Sequence, residues 1–183
     1  MWLAQPEATR NDVGAFEHHP TPPKAKLSNA AATVLVGDFA DVVAPARCDS
    51  DVLGVELLLR PATAVAPLRL DYEHAIVMLD GDVMVDGAPF AAGFLGYLGM
   101  GRDELSLSTT AGARLMLLGG APFAEQIQMS WNFVGRTPAE IEASHESWSR
   151  DDGRFGRVDS TLARTPGPTR QPFTSSGGEA APR

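Results

Sequence analysis

Short apolar runs recur between residues 31 and 135, each closed by glycine, proline or aspartate. TVLVG at 33–37 is a β-branched run that ends on glycine, the pattern of a strand. LGVELLLR at 53–60 is apolar almost throughout, which predicts a strand buried on both faces. Apolar segments at 75–79 and 82–85 flank Asp80-Gly81, and this predicts two strands joined by a tight hairpin. Asp86-Gly87 repeats the turn signal a few residues later. Residues 94–98, 105–107 and 114–118 continue the series. Short strands spaced by roughly 8–12 residues, with no helical periodicity between them, imply an all-β sandwich or barrel.

The periodicity changes once. Thr137-Pro138-Ala139-Glu140 is a capping box with proline at the first helical position. Its hydroxyl can accept from the Glu140 amide, and the Glu140 carboxylate can reach back toward Thr137. Ile141, His145 and Trp148 then fall at i, i+4 and i+7, on one face of a helix expected to end near residues 151–153. The expected site for that stripe is the outside of the barrel. Residues 1–30 are polar and interrupted by Pro6, Pro20, Pro22 and Pro23, which predicts a short apolar start at residues 2–4 and a connecting arm. From Arg164 onward the chain is rich in Pro, Gly, Ser and Thr, the composition of a disordered tail. The expected organisation is an arm over 1–30, a β-domain over 31–160 and a tail over 161–183.

Composition narrows the function. The 183 residues are 44% hydrophobic and 21% charged, an ordinary globular balance. Net charge is −8, and of the 15 basic residues only Lys24 and Lys26 are lysines. No basic stripe is present, so direct nucleic-acid binding is not expected, nor is attraction to an anionic membrane. No apolar run approaches the roughly 18 residues of a membrane span, and the N-terminus lacks the charged-then-apolar order of a signal peptide. A cytoplasmic location is the expectation. The single cysteine, Cys48, has no intrachain partner for a disulfide and is expected to be incidental rather than catalytic.

One long string carries a resemblance. It runs Leu117-Leu118-Gly119-Gly120-Ala121-Pro122-Phe123-Ala124-Glu125-Gln126-Ile127, continues at Trp131-Asn132-Phe133-Val134-Gly135-Arg136-Thr137 and Glu140-Ile141, and closes at Phe155-Gly156-Arg157-Val158. It resembles the signature of the C-terminal domain of the pirin family. Trp2-Leu3-Ala4-Gln5-Pro6-Glu7 is similar to the segment where the second pirin domain begins. The resemblance extends from residue 2 to about residue 160. It implies a cupin-type β-barrel (a double-stranded β-helix, or jelly roll) with one C-terminal α-helix outside it. Pirins are bicupins, and some are described as quercetin 2,3-dioxygenases while others bind proteins in regulation. The family's metal, iron or another divalent ion, is held by histidines and a glutamate in the N-terminal barrel. That barrel is not contained in these residues, so the expectation is a metal-free half.

Cupins carry ligands in two motifs, G-x5-H-x-H-x3–4-E-x6-G and G-x5-P-x-G-x2-H-x3-N. Strand alternation places both rings of an H-x-H on one face, so that they converge on one ion. Here His74 lies at the glutamate position, seven residues before Gly81, and Pro67 and Arg69 occupy the two histidine positions. Counting from Gly93 through Gly99 and Gly101 places Glu104 at the histidine and Ser108 at the asparagine. The turn glycines are retained and most ligands are lost. His74 and Glu104 remain as the candidates for a metal, with the alternative that they form a hydrogen-bonded pair near the barrel mouth.

Other constellations have structural readings. Glu17-His18-His19 reads as a solvated loop, His145 as helix packing, and Trp131 and Phe133 as core or interface. The glycine-rich stretch Gly93, Gly96, Gly99, Gly101 lacks the Lys-Ser/Thr and helix of a phosphate loop. Three functional expectations follow: a non-catalytic, structural or ligand- or protein-binding half of a bicupin; part of a quercetin 2,3-dioxygenase whose metal-bearing barrel is supplied separately or lost by truncation; and homo-oligomerisation through the face that a partner barrel would cover.

Overall fold

The β-rich sequence coils into a barrel because its inward positions alternate with polar or solvated ones along nearly every run. The computed structural model describes residues 2–167. It contains β1 (Lys24–Leu27), β2 (Ala30–Val36), β3 (Asp38–Phe39), β4 (Val42–Val43), β5 (Val52–Leu59), β6 (Ala62–Pro67), β7 (Glu73–Val85), β8 (Ala88–Ala91), β9 (Leu95–Gly99), β10 (Glu104–Thr109) and β11 (Ala113–Gly120). These belong to one compact unit, residues 5–11 and 15–124. A second unit, residues 2–4, 12–14 and 125 onward, holds β12 (Gln128–Ser130), β13 (Phe133–Gly135) and α1 (Pro138–Arg150).

In the larger unit the strand order is β1-β2-β5-β11-β7-β10-β6, with β8 and β9 also paired to β7. Its two outer strands approach each other: Asn29 Nδ2, in the β1–β2 turn, donates to the Thr63 carbonyl of β6 at 2.9 Å. The sheet is therefore a nearly closed cupin-type barrel. Its interior is apolar, with Val34, Val55, Leu57, Ile76, Met78, Leu105, Leu107, Leu115 and Leu117 essentially free of solvent. Each such side chain contributes about 1.5–3 kcal/mol relative to exposure.

The structure corrects three sequence expectations. Asp80-Gly81 is not a hairpin, because β7 runs through it as one 13-residue strand. Its pairing with β11 jumps from Arg114↔Asp80 to Leu115↔Met78, leaving Leu79 as an extra residue in a β-bulge. The bulge changes which residues face inward: His74, Ile76 and Met78 before it, Val83 and Val85 after it. Gly81, at φ +77°, is the residue that allows the bend. The true hairpin is at Asp86-Gly87, where Val85 pairs with Ala88 across two residues at φ 47° and 84°. Second, β5 is buried on one face only, since Leu58 is 56% exposed and Glu56 pairs with Arg114. Third, the arm ends before residue 24: Ala25 of β1 is buried and the strand pairs along β2.

In the smaller unit α1 begins and ends as the capping signals require. The Thr137 side chain accepts from the Glu140 amide, and Asp151 closes the helix in the left-handed conformation. The Glu140 carboxylate accepts from the Arg136 amide at 2.8 Å rather than from Thr137. The stripe is covered within its own unit by the β12–β13 hairpin: His145 lies 4.7 Å from the Phe133 ring and Trp148 5.3 Å from Trp131. Arg164, where the tail was expected to begin, stacks on Trp148 at 3.8 Å. The rest of the expected tail, residues 168–183, lies outside the described residues.

The bulge generates a prediction. A Cβ on Gly81 would stand 2.7 Å from the Gly112 carbonyl oxygen, whereas one on Gly87 would meet open space. Both positions carry the left-handed penalty, so Gly87→Ala costs about 1 kcal/mol. Gly81→Ala adds a backbone clash and costs at least about 2 kcal/mol. Urea unfolding of the two variants measures the difference, and equal costs would remove the bulge from its structural role.

Candidate functional site

The ligand positions of the cupin pattern can now be placed on their strands. His74 is the second residue of β7, and alternation points it into the barrel beside Ile76 and Met78. It is 1% exposed, and neither ring nitrogen has a well-formed hydrogen bond among the described residues, the Tyr72 backbone being a nearby polar contact in electrostatic terms. Its ring lies 6.1 Å from that of Tyr72, which is also buried. Gly119 of β11 pairs directly with His74, and a Cβ there would stand 2.9 Å from the imidazole Cδ2. The imidazole therefore occupies the space that any other residue at 119 would fill. Burial pushes the His74 pKa below its ordinary value, against the opposing attraction of Asp71.

None of the other ligand positions converges on that ring. Pro67 ends β6 and is exposed. Arg69 lies in the following loop, where it donates two hydrogen bonds to Asp71, at 3.2 and 2.9 Å, and stacks on the outer side of Tyr72 at 4.2 Å. Glu104 begins β10 opposite Pro67 and is exposed. The buried residues of β10 are Leu105, Leu107 and Thr109, so Glu104 and Ser108 share the alternate, outward parity. The expected His74–Glu104 pair is therefore not formed. The glycine spacing brought Glu104 into line with a histidine, but the strand's parity turned it away from the barrel. Ser108 instead lines an open trough of about 560 Å³ with Thr63, Met84 and Pro89.

The donor set does not fit a cupin metal centre. One inward imidazole surrounded by leucine, isoleucine and methionine offers a single ligand, and among the described residues no three His, Cys, Asp or Glu side chains group closely enough to hold an ion. The remaining candidates have local roles. His19 pairs with Glu17 at 3.1 Å on the exposed arm. His145 lies 3.3 Å from the Ser130 hydroxyl beside Phe133. The exposed Cys48 thiol donates to the Ser50 carbonyl at 2.8 Å. Two residues that sequence reasoning missed matter most here. Tyr72 gave no motif signal, while Gly119 lay within the family string but was not linked to His74.

Comparison with known proteins identifies the family and the fold. The model of the pirin C-terminal cupin domain matches residues 54–156. The chain belongs to the pirin family. A provisionally named quercetin 2,3-dioxygenase of Pseudomonas aeruginosa is 42% identical over 161 residues, which are 87% of this chain and 51% of that protein. A solved quercetin 2,3-dioxygenase from Acinetobacter baumannii superposes with a TM-score of 0.88 at 31% identity, covering 94% of this chain and 58% of the other. A Geobacillus kaustophilus structure shares the fold at a TM-score of 0.62 and 24% identity, over 68% of this chain and 53% of its own. The pirin domain thus spans about half the length of the curated relative it matches. No helix among its described residues is long and apolar enough to cross a membrane.

The buried imidazole sets two stability predictions. An unpartnered buried polar group costs about 1–3 kcal/mol, so His74→Leu is expected to be neutral or stabilising at pH 7. A histidine depressed in the folded state favours folding fully above its unfolded pKa, about 6.5, and loses that contribution as pH falls below it. The stability gap between His74→Leu and the natural chain should therefore widen from pH 7 to pH 5 in denaturant titrations. A gap independent of pH would contradict a neutral, buried ring. Gly119→Ala, in turn, should cost about 2 kcal/mol or more by overpacking, and less in a His74→Ala background. Additive costs in that double-mutant cycle would separate the two residues.

Proposed function

We propose that this pirin domain is a non-catalytic cupin module, the structural and binding half of a bicupin assembly. The observation that carries the reading is the filled barrel: one inward imidazole, His74, stands where a metal-bearing cupin needs three or four converging ligands. In this reading the domain has no metal of its own, and iron or another divalent ion belongs to a partner barrel. Its partner is a metal-bearing barrel of the N-terminal pirin type, not nucleic acid or a membrane.

A surface feature supports partnership. The register of β11, β7 and β9 aligns Met116, Val77 and Leu95 in one row, and Leu118, Ala75 and Tyr97 in the next. Alternation puts these rows on the outer face, where Leu95 is 64% and Tyr97 65% exposed. Contiguous apolar surface of this kind commonly meets another protein. The commitment to a cupin barrel as occupant rests on the relatives, whose length is about twice the span that this domain matches.

The second reading is that the domain serves a quercetin 2,3-dioxygenase whose metal barrel is separate. The names of the Pseudomonas and Acinetobacter relatives favour it. Both readings place the metal elsewhere, and one experiment tests that shared claim. The purified chain, loaded with iron, copper, manganese or nickel and dialysed, should retain well under one equivalent of metal by elemental analysis and should not cleave a flavonol. Stoichiometric metal with dioxygen-dependent flavonol cleavage would overturn the proposal. Leu95→Glu with Tyr97→Glu should leave folding intact and abolish any self-association or capture of a co-expressed N-terminal barrel, as measured by light scattering. Unchanged association would move the interface off this face.

A further inference from the structure

A second concavity lies apart from the barrel interior. It holds about 290 Å³ and is bordered by the β2–β3 corner, the loop before β5, and the residue that precedes β7. Asp38, Asp49 and Asp51 stand on its wall with Val43, Val52 and Tyr72. Asp49 is neutralised by Arg47 at 2.8 Å. Asp38 and Asp51 form no ion pair among the described residues, although Arg69, stacked on Tyr72, lies within electrostatic reach of Asp38.

The observation that makes this more than an acidic patch is Tyr72. It is only 2% exposed, yet it lines the cavity; its hydroxyl makes no hydrogen bond to any described residue and is not sealed from solvent. A phenol this deeply buried ordinarily finds a partner. Burial raises its pKa above the ordinary value, and the nearby carboxylates of Asp51 and Asp38 add to the rise against the pull of Arg69. The hydroxyl therefore stays protonated, with its oxygen free to accept a hydrogen bond.

These groups select the ligand chemistry. Two carboxylates outside any ion pair and a phenolic oxygen are acceptors, and they suit a cation that carries N–H donors. A bare divalent ion is disfavoured, because no three of these acidic side chains converge to ion-holding distance. The valines offer apolar contact to a short alkyl stem, and the volume lies at the lower end of small-ligand sites. We propose that this cavity binds a small aliphatic ammonium compound, with Asp38, Asp51 and the Tyr72 hydroxyl as its polar contacts and Val43 and Val52 against its methylenes. This site is independent of the missing metal ligands and does not depend on the bicupin reading.

The test is calorimetric titration of the full chain with 1,4-diaminobutane and n-butylammonium. Neutral n-butanol and magnesium chloride at matched ionic strength serve as controls. Saturable one-to-one binding of the ammonium compounds, absent for butanol and magnesium, is expected. Asp38→Asn and Asp51→Asn should each weaken it by about tenfold, the loss of one charge-assisted contact. Tyr72→Phe keeps the buried ring and should weaken binding by a smaller factor without altering the fold seen by circular dichroism. Asp12→Asn, outside the cavity, should leave affinity unchanged. Absence of saturation at millimolar ligand, equal response to magnesium, or wild-type affinity in both cavity Asp variants would each overturn the proposal.

Discussion

The barrel depends on the bulge within its longest strand. A β-strand presents alternate residues to one face, so a strand that must serve two differently facing parts of a coiled sheet has to change parity along its length. β7 does so at Leu79, with Gly81 absorbing the bend. Its first half pairs with β11 and β9 and directs His74, Ile76 and Met78 inward. Its second half pairs with β10 and β8 and directs Val83 and Val85 inward. If the same residues ran on as a regular strand with no bulge, the second half would offer Asp82 and Met84 to the core.

The same parity rule decides what the barrel can do. A cupin centre needs imidazoles and a carboxylate that share the inward face. Of the residues at those positions, His74 alone has that parity on a strand interior. Glu104 has the opposite parity, Arg69 lies in a loop, and Pro67 offers no donor side chain. Leucine, isoleucine and methionine fill the interior around the imidazole, and Gly119 yields its own side-chain space to that ring. The barrel has cupin topology around a largely apolar core.

Charge distribution divides the surface in a comparable way. Several carboxylates sit beside arginines, as in Arg102–Asp86, Arg114–Glu56 and Arg69–Asp71. Pairs of this kind contribute little to stability in water. In the cavity that Asp38 and Asp51 share, neither carboxylate forms an ion pair among the described residues, and a buried phenol stands beside them. Elsewhere the outer face of β11, β7 and β9 has apolar rows in place of charge.

By itself the sequence determined the elements whose causes are local. The capping box set the first turn of α1, Asp86-Gly87 set the hairpin, and the string from Leu117 to Val158 determined the family. Each is written in a few adjacent residues, because hydrogen bonds and backbone conformations act over one turn. The sequence alone also places Pro67 and Arg69 at the two histidine positions of the cupin motif. Only tertiary structure decided that Asp80-Gly81 is a bulge, because an Asp-Gly pair permits both outcomes and the pairing of β11 selects one. It also decided that Glu104 faces outward, that Gly119 makes room for His74, and that Tyr72 lines an acidic cavity. Those facts depend on register between strands far apart in the chain, and register is set by how the whole barrel closes.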